Sequence, residues 1–127
     1  MKLDPFISVD ETSFTTSQDE VVMMRGKPAR AGRNSIGLHE LDYESVVYRF
    51  QDNGRLEEIT VQAPVVNIGN LAVPFTALAS FVRTSDPSAF ERAGFLITPK
   101  FGLAFDPDEP CWVTVLAAHC LDSWRAI

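Results

Sequence analysis

The tripeptide Asp52-Asn53-Gly54 separates two runs of strand-forming residues, Val46–Phe50 and Leu56–Val61. Asn-Gly accepts positive φ angles whose twist matches that of paired strands, so this stretch predicts an antiparallel hairpin. The segment before it, Ile36 to Glu44, alternates: Leu41 and Tyr43 fall on one side, Glu40, Asp42 and Glu44 on the other. A period of two is the signature of a half-buried strand, and the three runs together predict a β-meander.

Helices flank this meander. Ser17 with Glu20 three residues later forms a capping box, and Asp19 and Glu20 suit the positive end of the helix dipole. Arg25 falls in the last turn, Gly26 is placed for a left-handed C-terminal cap and Pro28 blocks continuation. Residues 29–35 read as a basic loop. Phe6 to Val9 reads as an edge strand or ordered arm, and Val65 to Ile68 as a short strand. A second helix is expected from about Pro74, at the first helical position, with Phe75, Leu78, Phe81 and Val82 as its buried stripe. Asp86-Pro87 predicts a brief further helix to Ala93, ended by Gly94. Three strands follow at Phe95–Ile97, Phe101–Phe105 and Trp112–Ala117. Asp106-Pro107-Asp108-Glu109-Pro110 is the tight connection between the last two, and a final helical turn near Leu121 to Trp124 brings Trp124 back onto the sheet. The order predicts one α+β domain over residues 1–127. A helix–meander half (14–61) and a helix–strand half (65–127) share a mostly antiparallel sheet with two or three short helices packed on one face.

With 46 % hydrophobic residues, nine Phe, two Trp and two Tyr among 127, the chain is able to bury a real core. Seventeen acids against eleven bases give a net charge of -6. Phosphate contacts need clustered Lys and Arg, so nucleic acid is disfavoured as a partner, and a basic protein or ligand fits better. No run of residues approaches the apolar length that crosses a membrane, and the first residues do not read as a signal peptide. Cys111 and Cys120 stand nine positions apart, outside any metal-ligand spacing, and read as reduced thiols in a cytoplasmic protein.

Catalytic motifs are missing from the sequence: no Gly-rich phosphate loop and no nucleophile elbow. His39 and His119 lie eighty positions apart, and His119 with Cys120 would point to opposite sides of a strand. Asp106, Asp108 and Glu109 open like a calcium loop but lack its central Gly and distal Glu. The expectation is a protein without catalytic residues, metal or cofactor. Two charge groups remain. Glu40, Asp42 and Glu44 form a row, with Glu57 and Glu58 on a strand of the same meander; it reads either as a solvated face or as a docking surface for a basic partner. Arg25, Lys27, Arg30 and Arg33 read as counter-charges to those acids. Partner contacts are therefore expected at Glu40, Asp42, Glu44, Glu57 and Glu58, with the turn Asp106, Asp108 and Glu109 as a further acidic site.

The pattern Glu20-Val21-Val22, Gly26-Lys27-Pro28, Tyr43, Tyr48, Phe50, then Asp52-Asn53-Gly54-Arg55-Leu56 and Ile59 resembles the helix-then-meander unit of small barrel-assembly lipoproteins and β-lactamase-inhibitor proteins. It covers about residues 14–61. This sequence shows neither lipobox nor export signal, so the resemblance extends to local fold alone. Lys100-Phe101-Gly102-Leu103-Ala104-Phe105-Asp106, followed by Trp112-Val113-Thr114, resembles small cytosolic proteins encoded beside bacterial polymorphic or type VI secretion toxins. That resemblance implies an immunity protein: small, acidic and non-catalytic, occluding the active site or substrate entry of one cognate toxin. A small-ligand or regulatory binding module is the alternative, and an enzyme is the third reading.

One prediction follows from the cysteine usage. The intact mass of the native protein will equal that of the fully reduced chain; a deficit of two hydrogens would show a bridge between Cys111 and Cys120.

Overall fold

A computed structural model describes residues 1–127. In chain order the elements are β1 (Lys2–Asp4), β2 (Ser8–Val9), β3 (Thr12–Ser13), α1 (Gln18–Arg25), β4 (Arg30–Arg33), β5 (His39–Asp42), β6 (Val46–Phe50) and β7 (Leu56–Gln62). The second half continues with β8 (Val65–Ile68), β9 (Leu71–Pro74), α2 (Phe75–Ser85), β10 (Phe90–Arg92), β11 (Phe95–Thr98), β12 (Leu103–Phe105) and β13 (Trp112–Leu116). A 3-10 turn at Ala118–Cys120 then leads into α3 (Leu121–Arg125). The chain is an α+β protein, as its alternation and caps predict.

Eight strands form one antiparallel sheet in the order β10-β11-β12-β13-β7-β6-β5-β4. The sequential meander β4 to β7 and the late strands β10 to β13 meet where β13 pairs with β7, Val115 opposite Ile59 and Thr114 opposite Thr60. A smaller sheet, β3-β2-β1-β8-β9, carries the parallel pair β1–β8. Leu3, Val9, Val66 and Val73 of the small sheet pack against Leu41, Tyr48, Ile59, Leu103, Val113 and Val115 of the large one. The longer helices close the same core, α1 with Val21 and α2 with Phe75, Leu78 and Val82. Phe75 meets Phe105 edge-on at 5.8 Å, and each such buried side chain contributes about 1.5–3 kcal/mol. The opposite face of the large sheet has its own apolar cluster, Ile97, Ala104, Leu116, Ala117 and Cys120, covered by Trp124 and Phe95. Two helices thus share one face, and the C-terminal segment lies on the other. Trp124 reaches Phe95 at 5.4 Å and so packs on the sheet as expected.

Local chemistry explains where the elements begin and end. Ser17 Oγ accepts from Glu20 N–H at 3.2 Å while Glu20 Oε1 accepts from Ser17 N–H at 3.0 Å, completing the predicted capping box. At the hairpin only Gly54 takes a positive φ, 88°; Gly54 N–H donates to Gln51 O at 2.9 Å and Arg55 O accepts from Gln51 N–H. The turn therefore has one left-handed residue, where two were predicted from Asn-Gly.

Five expectations are corrected. Residues 29–35 do not form only a loop: Arg30–Arg33 makes the exposed edge strand β4, because Arg30 to Arg33 find backbone partners along Asp42 to His39. The strand read at Ile36–Glu44 is confined to His39–Asp42, since Asn34 Oδ1 accepts from Ile36 and Leu38 N–H and turns the chain before it. Residues 86–93 are not helical. The Asp86 carboxylate accepts from Ser88 N–H at 2.9 Å, but its other oxygen accepts from Thr98 Oγ1 at 2.6 Å and Lys100 N–H at 3.0 Å. Those tertiary donors outcompete a helix cap, and Phe90–Arg92 pairs instead with β11 around Ala93 (φ 51°) and Gly94 (φ 86°). Burial pushes Asp86 up, yet the donors of Ser88, Thr98 and Lys100 outweigh it and hold the carboxyl below the ordinary range. Last, Pro74 ends β9 and stands at the N-cap of α2 rather than inside it, and Phe101 lies in the turn before β12.

Leu78 is fully buried. Leu78→Ala will lower unfolding free energy by about 2–5 kcal/mol in urea titrations, the cost of an unfilled core cavity.

Candidate functional site

On the outer face of the large sheet, residues of β5, β6, β7 and β13 that point away from the core form the floor of a cleft. Its volume is about 510 Å³. Pairing places Glu40 opposite Arg49 and Arg49 opposite Glu58, so one guanidinium stands in a cross-strand row between two carboxylates. Arg49 Nε donates to Glu40 Oε2 at 2.7 Å and its Nη1 to Thr60 Oγ1 at 2.5 Å, whereas Glu58 Oε2 is 3.6 Å away. Thr60 and Thr114 hydroxyls meet at 2.9 Å and complete the floor. Burial raises Glu58 above the ordinary carboxylate range; Arg49 opposes this, while Glu57 and Glu40 add to it. The walls are apolar: Trp124 and Phe95 on one side, Ile36 and Ile127 at the rim, with 71 % and 66 % of their surface exposed. The arrangement is an apolar-walled slot with more negative than positive charge at its base. That combination favours a cationic group with an aliphatic or planar stem.

Beside this cleft stands a second cluster. Glu57 lies in β7 with only 2 % of its surface exposed. Arg55 Nη2 donates to its Oε1 at 3.1 Å, and Cys120 Sγ donates to its Oε2 at 2.8 Å. His119 Nε2 donates to that same Oε2. Burial raises Glu57, but the hydrogen bonds from Cys120 and His119 outweigh it and leave the carboxyl below its usual range. Cys120 moves the other way: burial, then the carboxylates of Glu57 and Glu58, push its thiol far up. An activated nucleophile has the opposite setting, a lowered pKa in an electropositive environment. The expectation that His119 and Cys120 diverge is corrected here. Ala118–Cys120 is a 3-10 turn rather than a strand, and both side chains converge on Glu57.

The other acids are dispersed. Asp42 shares the outer face with Glu40 and pairs with Arg30 at 2.7 Å. Glu44 does not extend that row, because it sits in the β5–β6 turn at φ 73° with its N–H on Asp42 Oδ1. Glu57 is no surface group; its carboxylate is taken up internally. In the turn after β12, Asp106 Oδ1 accepts from Asp108 N–H at 2.9 Å, and Asp108 and Glu109 are exposed. Of the eight acids predicted for partner contact, Glu40 and Glu58 are the two that line the cleft. Arg49 is the residue sequence reasoning passed over. Its signal was present: a lone base between Tyr48 and Phe50, flanked by acids on both neighbouring strands.

The two glutamates respond oppositely to pH. Glu58 holds its proton more tightly folded than unfolded, so its contribution to stability falls as pH rises from the ordinary carboxylate value through the raised one. Glu57 contributes stability above the ordinary value and loses it as pH falls through its depressed pKa. Glu58→Gln will therefore gain stability relative to the parent as pH rises through the weakly acidic range, read from urea midpoints. A difference independent of pH would mean that Glu58 is not desolvated as described.

No protein-family model, no curated protein and no solved structure matches this chain.

Proposed function

We propose that this chain is a non-catalytic binding protein that takes a basic segment of a protein partner into the outer-face cleft. Within that class the reading is an immunity protein that neutralises a cognate bacterial toxin by occluding its active site. The observation that carries it is the charge at the cleft floor: two carboxylates, Glu40 and Glu58, share the single guanidinium of Arg49 in a cleft that Trp124 also lines. A Lys or Arg from a partner supplies the missing positive charge and stacks its stem on Trp124, while Ile36 and Ile127 add apolar contact at the rim. The net charge of -6 speeds encounter with a basic surface. A toxin that handles nucleic acids or nucleotides presents such a surface around its active site.

The alternative, a small-ligand or regulatory module, draws on a different place. A cavity of about 650 Å³ lies between the N-terminal strands, α1 and β6, where Arg25 Nε donates to Tyr48 OH at 2.7 Å. A ligand there would contact Asp10, Glu11 and Arg25, all remote from the cleft.

The test is co-expression with the product of the adjacent reading frame. Growth arrest by that product will be relieved by this chain, and the two will co-purify. Glu40→Gln, which leaves Arg49 paired with Glu58, will weaken association about tenfold or more. Most of the loss will lie in the dissociation rate if Glu40 is desolvated in the complex. Association kinetics at low and high salt read this directly. A Glu40→Gln variant that binds like the parent at both would move the interface away from the cleft.

A further inference from the structure

The cluster Glu57–His119–Cys120 carries an inference independent of any protein partner. Three different donor types, a carboxylate oxygen, an imidazole nitrogen and a sulfur, lie within 4.8 Å of one another. They come from parts of the chain 62 and 63 residues apart, joined only by folding. As a set of hydrogen-bonding groups the arrangement is uneven: both donors crowd the same oxygen, Glu57 Oε2, while Oε1 is held by Arg55. As a set of metal ligands it is orderly. Carboxylate, imidazole and thiolate are the donors that zinc takes, and three protein ligands with one open position is a recurring arrangement.

We propose that Glu57 Oε2, His119 Nε2 and Cys120 Sγ bind a divalent transition metal of zinc type. In a tetrahedral site, bonds of about 2.0 Å to nitrogen or oxygen and about 2.3 Å to sulfur put ligand atoms about 3.3–3.8 Å apart. Cys120 Sγ and Glu57 Oε2 stand at 2.8 Å, so that pair opens by less than about 1 Å to admit the ion, and His119 Nε2, which is closer to Oε2, moves somewhat further. Arg55, donating to Oε1 through Nε at 3.2 Å and Nη2 at 3.1 Å, orients the carboxylate with Oε2 toward the cluster, as partners behind a metal ligand do. Glu57 and Cys120 also line a cavity of about 240 Å³ with Gln51, Glu58 and Ser123, which gives room for a fourth ligand or a water. Binding exchanges the thiol proton for the metal, forming an S–metal bond as the S–H bond breaks and the proton passes to solvent. The charge of the ion overrides the raised pKa that burial imposes on the free thiol. The consequence is mechanical: His119 and Cys120 lead directly into α3, so the ion fastens the segment that carries Trp124 to the central strand.

The experiment uses the full chain, stripped with a chelator and titrated with Co²⁺ in place of Zn²⁺. Expected are 1:1 uptake, a near-ultraviolet thiolate-to-cobalt charge-transfer band, visible bands of tetrahedral intensity, and loss of all of them on adding Zn²⁺. Each ion releases the thiol proton of Cys120, so apparent affinity rises with pH. Cys120→Ser abolishes the charge-transfer band, and Cys111→Ser leaves it unchanged. His119 is exposed, so His119→Gln keeps the fold, checked by circular dichroism, and weakens Co²⁺ binding by about 100-fold. No charge-transfer band on the folded protein at excess Co²⁺, a band that survives Cys120→Ser, or unchanged affinity in His119→Gln would each overturn the site. The last of these remains decisive should Cys120→Ser fail to fold.

Discussion

Between Arg49 and Phe50 the pairing of β6 with β7 slips by one residue, and Glu57 is the residue left over. Without that bulge, strict alternation from Ile59 would turn Glu57 into the apolar core and Leu56 out to the opposite face. An unpaired carboxylate among Tyr48, Leu103 and Val115 would cost several kcal/mol in desolvation. The bulge keeps Leu56 in the core opposite Phe50 and frees Glu57 for Arg55, His119 and Cys120. It also leaves Glu58 in register with Arg49. A bulge in the central strand therefore decides both halves of the outer face, the cleft floor and the cluster beside it.

Charge on the large sheet follows a consistent plan. The core face is apolar, with Arg25 reaching over the rings of Tyr43 and Tyr48 at 5.8 Å each. The outer face carries the ionic row Glu40–Arg49–Glu58. The edge strand β4 presents Arg30 and Arg33, held by Asp42 at 2.7 Å and Asp52 at 2.8 Å. These exposed pairs add little to stability, but bulky charges along an open strand discourage a further strand from pairing there. Seven of the seventeen acids stand within ion-pair distance of an arginine. Net negative charge is left over at the cleft, where two acids meet one base.

The C-terminal segment joins the two features. Ala117 N–H donates to Glu57 O at 2.9 Å and extends the β13–β7 ladder past its last pair, after which the chain turns through Ala118–Cys120 onto the outer face. Trp124 then closes the cleft against Phe95. A segment of eleven residues beyond β13 would be expected to fray unless something holds it. Here a buried thiol, an imidazole and an indole all do so, and none of them is far from the bulge.

Elements with local causes were legible from the sequence alone. The α1 capping box depends on Ser17 and Glu20, the hairpin on Gly54, and the α2 stripe on the spacing of Phe75, Leu78 and Val82; each involves residues within one or two turns. Composition likewise settled that a core could form and that the surface would be acidic. What the sequence did not disclose depends on partners far along the chain. Asp86 resembles a helix cap until Thr98 and Lys100 claim it. Arg30–Arg33 resembles a basic loop until β5 offers a ladder. Glu57 resembles a surface acid until the β6–β7 slip turns it toward Cys120. Backbone preference and alternation act over a few residues, whereas register and the meeting of distant side chains are settled by packing the whole sheet at once, and this protein's candidate sites belong to that second kind.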